Sequence, residues 1–280
     1  MSYLRHIRKC NQYQTDRFYP FMVDGLQLGE VKHDFATQLT EISDSFQQDE
    51  DALHWNPPAD DFISRNRAMA ELTETLLTSG LLHYRHDELY PVTTGQRDQP
   101  LFLMDRALVP YFGVRAFGQH MNGYIRRNGE IHMWIARRSP QKRHAAGKLD
   151  NMVAGGLPWG LKLEENLAKE CWEEAGIPAE LASQAKATGH IAYRCETERG
   201  LKPDTMYCYD LELPEDFIPH CTDGEVETFN LWPLERVAQQ VHDSDEVKLN
   251  CNLVIIDFLI RHGYISEEHP EYLDLVTGLR

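Results

Sequence analysis

The sequence predicts an α/β (α+β) protein: a mixed β-sheet sandwiched between helices, preceded by a smaller α+β unit. Three observations predict it. From about Gly113 onward, apolar residues alternate at the period of strands, and only a few helical stretches interrupt them. Before that point, two helical stripes and several turn-broken, strand-like pieces give a different texture. No internal repeat or low-complexity linker divides the chain elsewhere. The boundary is soft, within 105–117, and the units are placed at 1–115 and 116–280.

In the first unit, FYPFMVDG and LGEVKHDF read as strand-like pieces broken by turn signals. Phe35, Leu39, Ile42 and Phe46 then recur at helical spacing. A second helix carries the stripe Met69, Leu72, Leu76 and Leu77, with Ser64 as its expected cap and Gly80 as its stop. LLHYRHDELYPV follows as a strand. Two helices and a strand resemble a winged DNA-binding module, but this unit holds 11 Lys and Arg against 17 Asp and Glu. That balance argues against a nucleic-acid partner.

In the second unit, FGVRAFGQHMNGYIRR and EIHMWIARRS read as paired strands, with Asn128–Gly129 as a tight hairpin turn. KLDNMVAGG is a further strand, running into a glycine loop. ATGHIAYRCETE and TMYCYDLELP read as strands joined by RGLKPD, and ETFNLWP as another. LERVAQQVH and CNLVIIDFLIRHG read as helices. In the latter, Leu253, Ile256, Leu259 and Ile260 share a face.

Bulk properties narrow the function classes. The chain has 280 residues, 42% hydrophobic and 26% charged, and contains no run of about 18 apolar residues that would span a membrane. The N-terminal MSYLRHIRKCNQYQ lacks the apolar stretch of a signal peptide, so a cytoplasmic location is expected. Six scattered cysteines without a C-x-x-C pair fit reduced thiols. The net charge of −16 disfavours non-specific nucleic-acid binding, which needs Lys and Arg on phosphates. Against this background stands a basic island: Arg126, Arg127, Arg137, Arg138, Lys142, Arg143 and Lys148, with Glu130 the one acid among them.

Directly after that island comes GGLPWGLKLEENLAKECWEEAGIP. At 3.6 residues per turn, Glu170, Glu173 and Glu174 fall at i, i+3 and i+4 and share one sector of a helix. Such a cluster is either a solvated acidic face or a site whose mutual repulsion a hard divalent cation reverses. The flanks favour the second reading. Gly155–Gly156 permits close backbone approach, Gly176 suits a left-handed helix end, and the basic island can bring a phosphate to the same place.

This stretch resembles the Nudix box, G-x5-E-x7-R-E-U-x-E-E-x-G-U, where U is bulky and aliphatic. Gly155 falls on its first glycine, Glu170 on the Glu of R-E, Glu173 and Glu174 on E-E, and Gly176–Ile177 on G-U. Leu161 and Lys169 stand where the box has Glu and Arg, and lysine keeps the charge without the planar fork. RHDELYPV, MWIARRSPQKRHAAGKLDNMVAGG, DGEVETFNLWPLERV and IDFLIRHGYI extend the likeness to a Nudix subgroup with an extra N-terminal domain, similar to the Nudix half of fungal thiamine pyrophosphokinases.

The resemblance implies a Nudix fold and hydrolysis of a small diphosphate, with thiamine diphosphate or its oxidised forms as the substrate to test. It implies Mg2+ or Mn2+ at Glu170, Glu173, Glu174 and Gly155, with Glu170 as ligand or water-orienting base. It further implies a remote catalytic acid in DGEVETF, Glu225 ahead of Glu227. Phosphate recognition then falls to Arg137, Arg138, Lys142 and Arg143, and recognition of the organic part to His120 and Asn122. Tyr124 and Trp134 read as core. No nucleic acid and no membrane partner is expected, and a homodimer is left open. The alternative is a Nudix-fold sensor that binds its ligand without turnover.

Overall fold

The computed structural model describes residues 1–280. The first unit runs through α1 (Leu4–Cys10), a 3-10 turn (Thr15–Arg17), β1 (Phe18–Val23), β2 (Leu26–Lys32), α2 (His33–Ile42), β3 (Phe46–Gln48) and β4 (Leu53–Trp55). It continues with α3 (Phe62–Thr78), β5 (Leu89–Val92), β6 (Phe102–Asp105) and α4 (Val109–Phe112). The four-stranded sheet has the order β2-β1-β4-β3, with β1 and β4 parallel, and β5–β6 is a separate antiparallel ribbon. Phe112 lies at the centre of the core, with the rings of Phe21, Phe35 and Phe46 at 5.0, 5.7 and 6.2 Å.

Three local expectations are corrected in this unit. Phe46 opens β3 instead of continuing α2, because Ser43 turns extended and its hydroxyl bonds that of Ser45 at 2.8 Å. The cap of α3 is Asp61, whose carboxylate accepts the Ser64 amide at 3.0 Å. The strand expected over LLHYRHDELYPV begins only at Leu89, leaving 79–88 as an irregular connection.

The second unit contains β7 (Phe117–Arg127), β8 (Glu130–Arg138), β9 (Leu149–Asp150), β10 (Val153–Gly156), α5 (Leu163–Ala175), α6 (Ala179–Ala182) and β11 (Lys186–Thr197). Then follow β12 (Gly200–Glu212), β13 (Val226–Pro233), α7 (Leu234–Asp243), α8 (Leu249–Arg261) and α9 (Tyr272–Gly278). The sheet order is β11-β12-β7-β8-β13. β7 and β12 run parallel, and the other neighbouring pairs along this path are antiparallel. Asn128 and Gly129 both have positive φ, as the two-residue hairpin requires. RGLKPD is mostly strand rather than loop, since Leu201, Lys202 and Pro203 pair with Glu196, Cys195 and Arg194.

Period-two alternation along β7 assigns the two faces of this sheet. Met121 and Ile125 join Leu167 and Cys171 of α5, whereas Tyr124 joins Val254 and Phe258 of α8. β7 also changes partner along its length: Gly118–Met121 pairs with β10, and Gly123–Arg127 pairs with β8. The sheet therefore forks beside β10. Tyr3, Ile7 and Cys10, at the start of the chain, belong to the core formed with α8 and α9 rather than to that of the first unit.

That packing makes α1 a structural part of the second unit. Ile7→Ala should lower the unfolding free energy by about 2–4 kcal/mol. Urea unfolding followed through the second unit checks this, and a change within experimental scatter would contradict it.

Candidate active site

α5 is built to carry its acids. Glu164 and Glu165 occupy its first turn, where the helix dipole favours negative charge, and the Glu165 carboxylate accepts the Lys162 amide at 3.1 Å. Gly176 ends it at φ 63°, with the Ile177 amide reaching back to the Cys171 carbonyl at 3.0 Å. Asn166, Glu170, Glu173 and Glu174 follow one another at i, i+4, i+7 and i+8 on the helix.

The three glutamates sit at graded depth. Glu174 is 4% exposed and accepts the Ala154 amide at 2.7 Å, which fixes it under β10. Burial raises its pKa well above the ordinary carboxylate range; the Ala154 bond opposes the rise, and the charges of Asp150, Glu170 and Glu225 add to it. Glu170 is half-buried and its pKa is also raised, first by burial and then by Glu173 and Glu225, against the pull of Lys169. Its carboxyl occupies the space that a Cβ at Gly155 would fill, so a glycine is required there for Glu170 to reach β10.

Lys169 compensates for part of this negative charge. Its ammonium lies 3.2 Å from Glu170 and 2.6 Å from Glu173. Burial works against the lysine charge, yet its bonds to the two carboxylates raise its pKa. Lysine at the box arginine position thus still binds two of the three glutamates.

The fourth acid arrives on the loop before β13. The Thr222 amide bonds the Glu173 carbonyl at 2.8 Å and the His220 amide bonds the Ala175 carbonyl at 3.2 Å, satisfying free carbonyls at the end of α5. Three residues later, Glu225 adds its charge to Glu170 and Glu174 and forms an ion pair with Lys142. Glu227 is exposed. Four carboxylates converging with two lysines among them match the oxygen donors that Mg2+ and Mn2+ take, so this donor set fits a divalent cation.

The first unit braces the loop between β10 and α5. Arg97 donates to the carbonyls of Pro158 at 3.2 Å and Leu161 at 2.5 Å, and the Trp159 amide bonds the Leu89 carbonyl at 2.7 Å. Asn166, fully buried, donates to Gln119 at 2.8 Å and to the Gly156 carbonyl at 2.9 Å. Support that the box glutamate would give at position 161 comes here from Arg97. A Cβ at Gly156 would meet the Tyr90 hydroxyl and lie 3.3 Å from the Arg106 guanidinium. Both neighbours belong to the first unit.

The basic island does not act as one surface. Lys142 pairs with Glu225, and Arg143 lies 4.2 Å over the Tyr84 ring. Arg137 donates to the Gly147 carbonyl at 2.7 Å. The expectation that Arg138 meets phosphate is corrected: it is buried, bonded to Asp150 at 2.7 Å and to the His144 carbonyl, so its donors are taken. Asn122 is likewise committed inside the protein, donating to Asp210 at 3.1 Å and accepting from Asn151 at 2.9 Å. His120 is buried on the α8 face of β7, with Nδ1 2.9 Å from Asn151.

One other cluster could hold a cation: His120, Asp150 and Cys251, whose ligand atoms lie within 4.8 Å of one another. Its charge is already balanced. Arg138 at 2.7 Å and Lys248 at 3.2 Å both face Asp150. Despite burial, those cations hold the Asp150 pKa down to about 2, while burial keeps Cys251 a thiol.

Sequence reasoning missed Arg97, Tyr90, Arg106, Gln119 and Asn166. Asn166 had a detectable signal, standing four residues before Glu170 on the same helical sector. The others come from segments remote in sequence, which no local spacing connects to the box.

Two outcomes follow from this geometry. Gly155→Ala should displace Glu170 and weaken Mn2+ binding about 10- to 100-fold. Titration calorimetry measures it, and unchanged affinity would contradict the role of the glycine. His120 gives a pH signature. Burial, followed by the charge of Lys248, lowers its pKa to about 4, so between about 6.5 and 4 the unfolded chain takes up a proton that the folded protein refuses. Stability should therefore fall as pH drops through that window, by roughly 2 kcal/mol at pH 5 relative to pH 7. His120→Asn should flatten that slope in urea unfolding.

Residues 2–116 match the model of a domain of unknown function (DUF4743), and residues 122–251 match the NUDIX domain. Nudix hydrolase 20, chloroplastic, of Arabidopsis thaliana is 39% identical over the whole of this chain and 78% of its own length. Nudix hydrolase 24, chloroplastic, of the same plant is 40% identical with the same coverage. An uncharacterized protein of Saccharomyces cerevisiae is 34% identical, over 94% of this chain and 82% of that one. Among solved structures, DR0079 from Deinococcus radiodurans covers 60% of this chain and 95% of its own, at 18% identity and a TM-score of 0.44. The NUDIX-domain match and the two plant relatives identify the chain as a member of the Nudix hydrolase family, with a DUF4743 domain ahead of its NUDIX domain.

Proposed function

We propose that this Nudix hydrolase is a metal-dependent pyrophosphohydrolase that cleaves a small organic diphosphate, thiamine diphosphate or an oxidised analogue, to the monophosphate and phosphate. The observation that carries the reading is the convergence of Glu170, Glu173, Glu174 and Glu225, with Lys169 bridging the first two and Lys142 paired with the last. Two of these acids are buried against their charge, an arrangement that a purely structural helix does not need.

In this reading Glu173 and Glu174 hold Mg2+ or Mn2+, with Glu170 a further ligand or the base that orients water. A divalent cation held there would supply a more acidic water and neutralise charge on the phosphate and the leaving group. The chain supplies the rest. Lys169 keeps Glu170 and Glu173 together, the Ala154 amide fixes Glu174, and the loop bonded to the end of α5 presents Glu225. Lys142, paired with Glu225, is placed to meet a phosphate at the same acids. The net charge of −16 favours a small anion at a local basic site over a nucleic acid. Six free cysteines suit a reducing compartment such as the cytoplasm.

The test is phosphate release from thiamine diphosphate, its oxidised analogues, ADP-ribose, NADH and nucleoside triphosphates, with Mg2+ or Mn2+. Glu173→Gln should lower turnover of the preferred substrate about 10²- to 10³-fold. Equal activity of the variant would overturn the proposed site. Tight binding without turnover by the wild type would instead identify a ligand sensor.

A further inference from the structure

Where the two domains meet beside the box, arginines gather without carboxylate partners. Arg143 and Arg199 are brought together there although neither has a carboxylate within ion-pair distance. Both are organised by Tyr84, on the irregular stretch between α3 and β5. The Arg143 guanidinium lies 4.2 Å over the Tyr84 ring, and Arg199 donates to the Tyr84 hydroxyl at 2.8 Å. The other arm of Arg199 donates to His144 Nε2 at 3.1 Å, and the Tyr84 hydroxyl lies 3.4 Å from the same nitrogen. Burial and the charges of Arg199, Lys202, His86 and Arg106 lower the His144 pKa to about 4, so at neutral pH it accepts that bond uncharged.

A third arginine connects this cluster to the carboxylates. Arg106, also from the N-terminal domain, pairs with Glu88 at 2.8 Å and lies 5.8 Å over the Tyr90 ring. Its guanidinium flanks Gly156, and it is close enough to Glu170 for the two charges to act on one another. Charge therefore changes sign over a short span, from the glutamates of α5 to Arg106 and then to Arg143 and Arg199. Two guanidinium groups held around one neutral phenol repel each other. Planar forks of this kind bind phosphate oxygens two at a time, and such an anion turns the repulsion into attraction.

We propose that this interdomain cluster, with Tyr84 and Arg106 on the N-terminal side and Arg143, His144 and Arg199 on the Nudix side, binds the diphosphate group of the substrate. The DUF4743 domain thereby completes the substrate site instead of being a separate module. Arg143 and Arg199 grip the phosphate oxygens, Tyr84 is a positioning residue that holds both arginines, and Arg106 passes the anion toward the acids. This rests on the diphosphate-hydrolase reading above.

The test is calorimetric titration of the full-length protein with inorganic diphosphate in the presence of EDTA, alongside steady-state kinetics with metal. The wild type should bind, and Arg143→Ala and Arg199→Ala should each weaken binding at least tenfold. Arg199→Lys should recover only part of the loss, and Arg67→Ala, at an exposed arginine of α3 outside the cluster, should stay within threefold of wild type. With metal, the arginine variants should raise KM with little change in kcat. Arg143 is exposed, so its truncation leaves the fold intact even if Arg199→Ala does not fold. Absence of binding in the wild type, or wild-type affinity in Arg143→Ala, overturns the proposal. If Arg143→Ala keeps wild-type Kd and KM while Glu173→Gln is inactive, the subsite fails and the hydrolase stands. If Arg143→Ala loses binding while Glu173→Gln turns over normally, the hydrolase site fails and the subsite stands.

Discussion

Everything at the site depends on the two glycines that end β10. Successive positions of a strand face opposite sides, so removing both side chains opens the strand in two directions. At Gly155 the space holds the Glu170 carboxyl, and at Gly156 it holds the Tyr90 hydroxyl with Arg106 alongside. One short segment thus brings the acidic helix against one face and the N-terminal domain against the other. The fork of the sheet at β7, where β10 gives way to β8, leaves that segment accessible.

The second constraint is charge in a strongly acidic chain. Buried carboxylates persist only with partners, and the protein solves this in two ways. Asp150 is neutralised by Arg138 and Lys248, giving a closed network with no need of a further cation. Glu170, Glu173, Glu174 and Glu225 have only Lys169 and Lys142 among them, and burial still raises Glu170 and Glu174. The first arrangement is complete as it stands. The second retains excess negative charge that a hard cation can use.

Much of this was legible in the sequence where one segment carries the information. The alternation in 117–138, the Asn128–Gly129 turn, the helix over 163–175 and the sector shared by its glutamates all follow from local period and spacing. Errors arose where a local signal competed with a longer one. Phe46 continues the helical spacing of Phe35 and Leu39, but the Ser43–Ser45 pair ends the helix first. Arg138 looks like any other member of the basic island until Asp150, twelve residues on, is brought beneath it. α1 is too short to carry a pattern, and it is defined by the α8 and α9 surface it covers. Arg97, Tyr84, Arg106 and Arg199 were invisible as site residues because only the packing of the two domains brings them to the box. Leu161 stands where the box has an acid, and Arg97 shows how the loop is held without it.

The central claim is that the acids of α5, and not the other acidic cluster of the fold, hold the metal. A crystal of the full chain grown with Mn2+, with anomalous scattering recorded at the manganese edge, measures this directly. The account predicts a peak among Glu170, Glu173 and Glu174, with the Lys169 ammonium moved away from the carboxylates it bridges. A peak at His120, Asp150 and Cys251 with the glutamates still paired to Lys169, or no peak at either place, would contradict it.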